Sequence, residues 1–360
     1  IGVVNMKFSI LHICDYAAAY KGGFISSLEY LRKDLEKDGI GQVYLFPHRA
    51  LSTKAAEWIE ELRADGATVY IQTESFFKNI LLLKKIVKEH NVKKIFRHFN
   101  DLYIDIIAHI FCPTIPVVRF FHCAYTASGI SHIIRKFIYR NDVFVGVSRT
   151  VVEKAMQRFS DREIMSLENA INLERFSHTD PFEKQDKVSC LTMGYNCKVK
   201  GVDLTFEAFK RIREKHDALL YVVVASHKEE LDEEIKKHFG KKPDWLVVLP
   251  PTENIGTYYH NTDIILSPSR SEGALPFAVF EAMYCGSLAV VSDIPQQMTD
   301  KVSSIRYFKS EDIDDYERVL SKAIGDVTKP ETENERLAAK EEIVKNYSMQ
   351  VWSDKFKALI

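Results

Sequence analysis

The sequence lacks several features that would define a function directly. Its 360 residues carry 49 Lys+Arg and 50 Asp+Glu, so it has no excess of positive charge of the kind that a general nucleic-acid-binding protein needs. The 6 cysteines form no Cys-x-x-Cys pair, which argues against zinc motifs and a disulfide framework and favours reduced thiols. No HExxH motif, nucleophile elbow, P-loop or G-x-G-x-x-G fingerprint is present.

Long uninterrupted hydrophobic runs are also absent from the sequence. The most apolar stretch, from Ile104 to Tyr125, is interrupted by Pro113, Pro116, Arg119 and His122, whereas a membrane-spanning helix needs about 20 consecutive apolar residues. No secretory signal is recognisable, and we interpret residues 1–5, which precede Met6, as residues added before the native start. We therefore predict a cytoplasmic protein, whose association with a membrane surface stays open.

What the sequence does contain is a regular alternation of short apolar runs and amphipathic segments. This pattern is typical of βαβ units around a buried parallel sheet, and the chain is longer than the about 250–300 residues that one core accommodates. The strands predicted in the first half are Phe8–Ile13, Gln42–Phe46, Thr68–Ile71, Lys94–His98, Val117–Phe121 and Val143–Val147. Those predicted in the second half are Val188–Met193, Leu219–Ala225, Leu246–Leu249, Asp263–Leu266, Leu288–Val291 and Ile305–Tyr307. We predict two doubly wound α/β domains.

A polar segment between the two series of strands is the predicted linker. It covers residues 168–187, after a first domain of residues 1–167 and before a second of residues 188–345. Charge divides close to this boundary, because residues 1–165 carry 23 Lys+Arg and 17 Asp+Glu, whereas residues 166–360 carry 26 and 33. Ligands of such domains bind beyond the carboxyl ends of the strands, so function is expected in the loops that follow them.

The first candidate loop joins a strand to a helix between Ser267 and Gly286. The helix is predicted to begin at Pro276, a favoured first helical residue, and its free N–H groups can bind phosphate. Glu272 and Glu281 lie on either side of this helix start and can accept hydrogen bonds from sugar or ribose hydroxyls. Taken alone, the two glutamates are equally consistent with a turn residue and a solvated helix face.

Two loops that contain glycine follow other strands. The loop 193–201 places Lys198 and Lys200 before a helix, which suits a diphosphate, although on its own an ordinary surface turn accounts for it better. After the first strand, Gly22 and Gly23 precede another helix. They permit a ligand to approach closely, or they simply make the connection flexible.

His122 directly follows a predicted strand, at the end where α/β domains bind ligands. A histidine there can donate to a sugar hydroxyl or stabilise developing charge, and this position favours a ligand-binding role over a core histidine. Asp312 and Asp314 offer the D-x-D pair that metal-dependent sugar transfer uses. They lie in an acidic stretch typical of a helix start, so we assign them a structural role and predict no metal site.

Together these loops resemble those of the retaining GT-B glycosyltransferases of family 4, and the resemblance runs over most of the chain. It implies that Glu272 contacts the transferred sugar, that Glu281 contacts the ribose and that Lys200 stabilises the departing diphosphate. His122 would lie near the transferred sugar, and the implied catalytic residues are His122, Glu272 and Lys200. The implied donor-binding residues are Gly22, Gly23, Gly194, Lys198, Lys200, Arg270, Glu272, Gly273, Ala274, Leu275 and Glu281.

The resemblance also implies how the domains are used. Two Rossmann-like domains would face a cleft, the first binding the acceptor and the second the nucleotide sugar, and a C-terminal helix in residues 346–360 would cross back to the first. Two departures from the family pattern stand out. Eight residues separate the two glutamates where the family has seven, and Tyr195 stands where an arginine is expected, with Lys198 and Arg270 as candidates to supply that charge.

The implied reaction moves a hexosyl group from a nucleotide-diphosphate sugar, with a UDP-sugar slightly favoured, to a glycan or lipid-linked acceptor. It would retain the anomeric configuration, use no metal or other cofactor and serve polysaccharide or glycoconjugate biosynthesis. A nucleotide-sugar epimerase of the same fold and a catalytically silent partner subunit stay open. The positive first half predicts an anionic acceptor. The basic helix predicted at Phe76–Lys88 either contacts an anionic membrane or only covers the sheet; we expect Leu81–Leu83 to cover the sheet and leave the role of Phe76 and Phe77 open.

Overall fold

The structure is a computed structural model of the chain. It describes residues 6–18, 21–99, 101–123, 125–224, 228–252, 254–272 and 277–360. Contacts within the chain divide it into two compact units, residues 1–172 with 349–360 and residues 173–348. The division falls inside the polar segment 168–187, and the last helix belongs to the first unit.

The first unit is a parallel sheet with helices between its strands. Its strands are β1 (Phe8–Cys14), β2 (Ile40–Phe46), β3 (Thr68–Ile71), β4 (Val92–His98), β5 (Val117–Phe121), β6 (Val143–Gly146) and β7 (Ile164–Ser166), in the order β3-β2-β1-β4-β5-β6-β7. Its helices are α1 (Gly22–Lys37), α2 (Ala55–Ala64), α3 (Phe76–Glu89), α4 (Leu102–Phe111), α5 (Gly129–Ile138) and α6 (Arg149–Met156), with short 3₁₀ turns at His48–Ser52 and Tyr139–Asn141.

The second unit repeats this architecture. Its strands are β8 (Val188–Met193), β9 (Ala218–Val223), β10 (Leu246–Leu249), β11 (Ile264–Ser267), β12 (Leu288–Ser292) and β13 (Ile305–Phe308), in the order β10-β9-β8-β11-β12-β13. Its helices are α7 (Cys197–Lys200), α8 (Val202–Ile212), α9 (Lys228–Phe239), α10 (Gly256–His260), α11 (Phe277–Tyr284), α12 (Ile313–Asp326) and α13 (Pro330–Tyr347), and a 3₁₀ turn covers Leu173–Phe176.

The central strands are buried on both faces, as the near-continuous apolar runs of a parallel sheet require. In β1 every residue after Phe8 is buried, and all of β9 is buried. The pairings of neighbouring strands are parallel in both sheets. The two sheets, with helices between most consecutive strands, confirm the predicted doubly wound α/β fold.

The C-terminal helix α14 (Met349–Lys357) packs on the first unit. Its Phe356 ring lies 4.5 Å from that of Phe96 on β4, centroid to centroid, and Trp352 is part of the same buried cluster. Ser353 Oγ donates a 2.7 Å hydrogen bond to the Asp34 carboxylate on α1. Apolar burial and a buried polar contact therefore hold the helix there.

The sequence prediction differs from the structure at three places in the first unit. The edge strand β7 was not predicted, because it has three residues of which Met165 and Ser166 are exposed, leaving little apolar pattern. Helix α1 begins at Gly22, so the two glycines lie in its first turn and not in the loop before it. In α3, Leu83 is buried as expected, but Leu81 faces solvent.

Candidate active site

A cavity of the second unit lies where its strand order reverses. β8 and β11 are neighbours in the sheet, and the chain leaves them towards opposite edges, which is the arrangement that opens a crevice at the carboxyl ends of the strands. The cavity has a volume of about 230 Å³. The residues that line it are Thr192, Met193, Tyr195, Lys200, Ile265, Leu266, Ser267, Ser269, Glu272, Phe277, Ala278 and Val279.

Lys200 and Glu272, two of the predicted catalytic residues, meet in this cavity. Lys200 Nζ donates to both carboxylate oxygens of Glu272, at 2.7 and 2.9 Å, and Ser269 Oγ donates to Oε1 at 2.6 Å. The ammonium also lies 5.3 Å from the centre of the Tyr195 ring. The partly buried ammonium of Lys200 is therefore held between the Glu272 carboxylate and the face of the Tyr195 ring, at the carboxyl ends of β8 and β11.

Gly201 lies in the segment after β8, where that segment contacts the loop after β11 at Pro268. Its φ is +67°, and a Cβ atom there would lie 2.0 Å from the carbonyl oxygen of Pro268. The backbone N–H of Arg270 donates to the carbonyl of Val199 at 2.8 Å across the same contact. Glycine at this position therefore lets the two loops touch, which brings Lys200 next to Glu272.

Gly194 is also constrained by its own unit. A Cβ atom there would lie 2.5 Å from Cγ1 of Val222 on β9 and 3.3 Å from the Leu231 side chain. We expected the glycines of this loop to let a ligand approach. For Gly194 and Gly201, the close approach in the structure is to neighbouring protein atoms.

The two cations that were candidates to replace the expected arginine do not line the cavity in the described part of the chain. Arg270 forms two hydrogen bonds with the Asp203 carboxylate, at 2.7 and 3.0 Å, and is also paired with Glu311. Lys198 is exposed and lies 3.5 Å from the same Asp203 carboxylate. Arg270 is thus an anchor between loops, and Lys200 is the described cation nearest the cavity.

Glu281 lies on α11 and is not a solvated helix residue. The Tyr259 hydroxyl donates to its Oε2 at 3.2 Å. Burial raises the pKa of Glu281 to about 7, although the charge of Arg175 and the bond from Tyr259 oppose the rise. The carboxyl group therefore changes its charge near neutral pH, which is typical of residues in functional sites.

Some predicted donor-binding residues cannot be placed at this cavity. Gly273, Ala274, Leu275 and the predicted helix start at Pro276 lie outside the described residues. Gly22 and Gly23 belong to the first unit, where Gly22 has a φ of +61° and a Cβ atom on Gly23 would meet open space.

His122 lies at the carboxyl end of β5 in the first unit, in a row of three histidines. Its Nε2 lies 3.0 Å from Nδ1 of His98, and Nε2 of His98 lies 3.1 Å from Nδ1 of His12 on β1. Each neutral ring can donate one hydrogen bond and accept another, so the three rings must adopt their proton positions together. The tautomer of His122 is therefore coupled to that of two buried neighbours.

Aromatic rings surround His122. The Phe99 ring stacks on it at a centroid distance of 4.4 Å, and Phe24 meets it edge-on at 4.9 Å. Phe99 has a φ of +63°, a conformation that costs energy for a bulky residue and is found mainly at functional positions. This strained backbone conformation places the Phe99 ring against His122, the predicted sugar-binding histidine.

We expect the three histidines to stay neutral over the range in which histidine normally titrates. Burial lowers the pKa values of His12 and His122 to about 3 and lowers that of His98 well below its ordinary value. In the unfolded chain they should titrate near the ordinary value of about 6.5. Histidine NMR between pH 5 and 8, before and after unfolding in urea, measures this difference. Protonation of His122 above pH 6 in the folded protein would contradict it.

A buried ion cluster in the first unit escaped the sequence analysis. Asp105 on α4 binds Nε of Arg97 at 2.6 Å, Nη1 of Arg119 at 3.1 Å and the Tyr139 hydroxyl at 2.5 Å. Arg119 also donates to Asp142 at 2.9 Å. Arg97 and Arg119 each lie inside a strand, directly after two apolar residues, and this was the sequence signal for buried charges. Their pairing with Asp105 and Asp142 elsewhere in the chain is not visible in the sequence.

Neither unit offers a metal site in its described residues. No group of three His, Cys, Asp or Glu side chains in these segments could hold an ion. Asp312 caps α12, where its carboxylate accepts a 3.0 Å hydrogen bond from the N–H of Asp315, which is the predicted structural role. Among the described helices, none combines the length and apolar character that crossing a bilayer requires.

Comparisons with known proteins find similarity to glycosyltransferases in sequence and in fold. Residues 187–326 match the model of the family described as glycosyl transferases group 1. A protein from Haemophilus influenzae described as an uncharacterized glycosyltransferase is 28% identical over 145 residues, and that match spans 39% of this chain and 39% of the relative.

Solved structures share the fold over nearly the whole chain. A glycosyltransferase from Rickettsia africae has a TM-score of 0.83 at 14% identity, with 98% of this chain and 97% of that one covered. Anabaena Alr3699/HepE in complex with UDP and glucose has a TM-score of 0.75 at 12% identity, with 98% and 99% covered. These matches show that the chain shares the two-domain α/β fold of GT-B glycosyltransferase structures.

Proposed function

We propose that the protein is a retaining glycosyltransferase that takes a hexosyl group from a nucleotide-diphosphate sugar, with UDP as the favoured nucleotide. The observation that carries this proposal is the contact between Lys200 and Glu272 at the carboxyl ends of β8 and β11. It joins a cation suited to a diphosphate and a carboxylate suited to sugar hydroxyls in one cavity. The UDP and glucose named in the Anabaena complex support the choice of donor.

In this proposal Lys200 stabilises the leaving group. When the bond between the sugar and the diphosphate breaks, negative charge grows on the diphosphate, and a fixed ammonium at that point lowers the barrier. Since Lys200 is bound to Glu272 without a donor, the diphosphate and the carboxylate share it once the donor binds. The carboxylate oxygens released in this way can accept hydrogen bonds from the sugar.

His122 is proposed to orient the transferred sugar from the first unit. Its Nε2 contacts His98, and Nδ1 is the ring's other hydrogen-bonding atom. A ring that stays neutral can donate to or accept from a hydroxyl without adding charge. We propose no metal in this reaction, because Lys200 and backbone N–H groups supply the positive potential that the diphosphate needs.

The acceptor is proposed to be a glycan or lipid-linked molecule that carries negative charge, and the protein to be cytoplasmic with the first unit in contact with an anionic membrane. The net positive charge of residues 1–165 supports this choice, because it attracts anionic molecules to that half of the chain. A role in polysaccharide or glycoconjugate biosynthesis follows if such an acceptor is used.

Donor binding is the first test of the proposed function. A thermal-shift screen with UDP-, GDP- and ADP-sugars, followed by assays of nucleotide release with and without acceptor, separates the possibilities. A glycosyltransferase should be stabilised by one nucleotide and should release it faster with an acceptor. Conversion of the sugar without any acceptor would indicate an epimerase, and the absence of stabilisation by every donor would indicate a silent subunit.

Donor binding should strengthen as the pH rises through about 7. The pKa of Glu281 is raised to about 7, so the group is mostly protonated at pH 6 and mostly a carboxylate at pH 8, and only the carboxylate accepts hydrogen bonds from both ribose hydroxyls. Calorimetric titration with UDP at pH 6, 7 and 8 should show tighter binding at each step.

The Glu281→Gln variant is the matched control for this pH dependence, since its side chain has a similar shape and does not titrate. Its UDP affinity should change much less between pH 6 and 8 than that of the unaltered protein. If the variant keeps the full pH dependence, Glu281 is not the group responsible.

A further inference from the structure

Helix α5 is the one described helix of eight or more residues that buries none of its residues. Four of its five large apolar residues are spaced i, i+3, i+4 and i+7 along one side: Ile130, Ile133, Ile134 and Phe137. The exposed fractions are 77% for Ile130, 67% for Ile133 and 68% for Phe137. We call these four residues the α5 face.

Helices of a doubly wound fold normally turn their apolar side to the sheet. In α3 of the same unit, Ile80, Leu83 and Ile86 are buried in this way. Helix α5 is amphipathic like α3, but its apolar side, the α5 face, points towards solvent. An exposed apolar patch of this kind marks an interaction surface.

Two cavities adjoin the α5 face, and Phe137 and Arg140 line both of them. The larger one, of about 480 Å³, also includes Ile110 and Ile115. The other, of about 430 Å³, includes Ile133. The two cavities therefore extend the apolar surface of the α5 face that could bind hydrocarbon chains.

Cations outnumber carboxylates beside the α5 face, because Lys136, Arg140 and Arg162 line the two adjoining cavities together with Asp142 and Asp161. No Asp or Glu occurs between Asp105 and Asp142, whereas Arg135, Lys136 and Arg140 lie on α5 and directly after it. Arg140 lies over the Phe137 ring at 4.7 Å, and Lys136 is paired with Asp161 at 3.2 Å. Cations beside an exposed apolar stripe are the pattern of helices that lie in the interface of an anionic membrane.

We infer that the α5 face binds to the surface of an anionic lipid bilayer. Its isoleucines and Phe137 enter the boundary between headgroups and acyl chains, while the exposed Arg140 contacts lipid phosphates. The inference rests on the proposed function, because it gives a lipid-linked acceptor a route to the first unit. A second copy of the chain fits this surface less well, since a symmetric contact would bring the same cations of both copies together.

The helix α3 offers the alternative surface that the sequence analysis singled out. Phe77 and Leu81 are exposed there, but the apolar side of α3 is already buried against the sheet. Variants of the two helices therefore distinguish the surfaces. Leu81→Ser alters α3, and a double variant of Ile133→Ser and Phe137→Ser alters α5, in each case at exposed positions where the fold should tolerate a polar side chain.

Vesicle flotation of the full chain tests the inference. The probes are vesicles of phosphatidylcholine alone and vesicles that also contain phosphatidylglycerol as about one third of the lipid. We expect the unaltered protein to float only with the anionic vesicles, and the double α5 variant to partition at least about tenfold less. Leu81→Ser, and Leu337→Ser at an exposed site of the second unit, should float like the unaltered protein.

Several results would overturn the inference. These are no binding of the unaltered protein to anionic vesicles, equal binding of the double α5 variant, or a loss of binding caused by Leu81→Ser instead. A dimer that light scattering detects and that the double α5 variant abolishes would assign the face to a second copy. Donor-induced thermal shifts, measured without vesicles, report separately on the proposed function and should be unchanged in the double variant.

Discussion

Replacing Lys200 with alanine is expected to lower the rate of donor cleavage by about 10²–10³-fold, the usual effect of removing one group that stabilises charge in a transition state. Lys200 is the described cation in the cavity of the second unit, and its ammonium contacts both oxygens of Glu272. Without it, the donor diphosphate would lie beside a carboxylate that has lost its counter-ion. Steady-state release of the nucleotide at saturating acceptor measures the change.

Two further variants make this result interpretable. Lys228→Ala removes an exposed lysine of α9 that does not line the cavity, and it should have the activity of the unaltered protein. Glu272→Gln separates the two roles of the ion pair. If Lys200 acts on the diphosphate, Glu272→Gln should keep UDP binding while losing sugar transfer, whereas Lys200→Ala should lose both.

The opposite pattern would contradict the assignment of Lys200. If Lys200→Ala binds UDP as tightly as the unaltered protein, and both variants lose activity to the same extent, the lysine only holds the carboxylate in place. Calorimetric titration with UDP, alongside the rates, distinguishes these outcomes because it measures binding without catalysis.

The fold was largely predictable because a parallel sheet buried on both faces leaves a strong local pattern. Strands such as Val188–Met193 and Thr68–Ile71 have the predicted bounds, since each is a short apolar run between polar segments. β7 was missed for the opposite reason. A short edge strand is exposed in part and is specified by its neighbour in the sheet, not by its own residues.

The candidate site was predictable at the level of loops. Ligands of doubly wound domains bind beyond the carboxyl ends of the strands, so the loops after β8 and β11 were predicted to carry function, and the strand order of the sheet then brings them together. The partner of each side chain in the site could not be predicted from the sequence. Arg270 and Lys200 are both cations near a carboxylate, but only tertiary contacts assign Asp203 to the first and Glu272 to the second.

Contacts between distant residues account for what the sequence did not show. His12, His98 and His122 are separated by 86 and 24 residues along the chain and are joined by the order of β1, β4 and β5 in the sheet. A histidine in an apolar strand looks like an isolated core residue in the sequence. The row of three exists only after the sheet has formed.

The buried cluster around Asp105 leads to the largest expected change in stability. Asp105 is the shared partner of Arg97 and Arg119, and all three side chains are almost fully buried. Burial alone would raise the pKa of Asp105, but the charges of Arg119 and Arg97 outweigh it and hold the pKa below its ordinary value. Removing this charge takes away the carboxylate that Arg97 shares with Arg119 and leaves Asp142 as the carboxylate partner of Arg119. Breaking a buried ion pair in this way costs about 3–5 kcal/mol.

We therefore expect Asp105→Asn, which keeps the shape of the side chain, to weaken the first unit selectively. Amide hydrogen exchange should show protection of β4 and β5 reduced by about 10²–10³-fold, with little change in β8 and β9, because the cluster lies wholly within the first unit. Asp161→Asn is the control, since that carboxylate is exposed and pairs with Lys136 at the surface, where ion pairs contribute little. If Asp105→Asn changes protection no more than Asp161→Asn does, the guanidinium groups are compensated by Asp142 and the backbone carbonyls alone. In that case the aspartate in α4 is not what keeps two arginines inside the sheet.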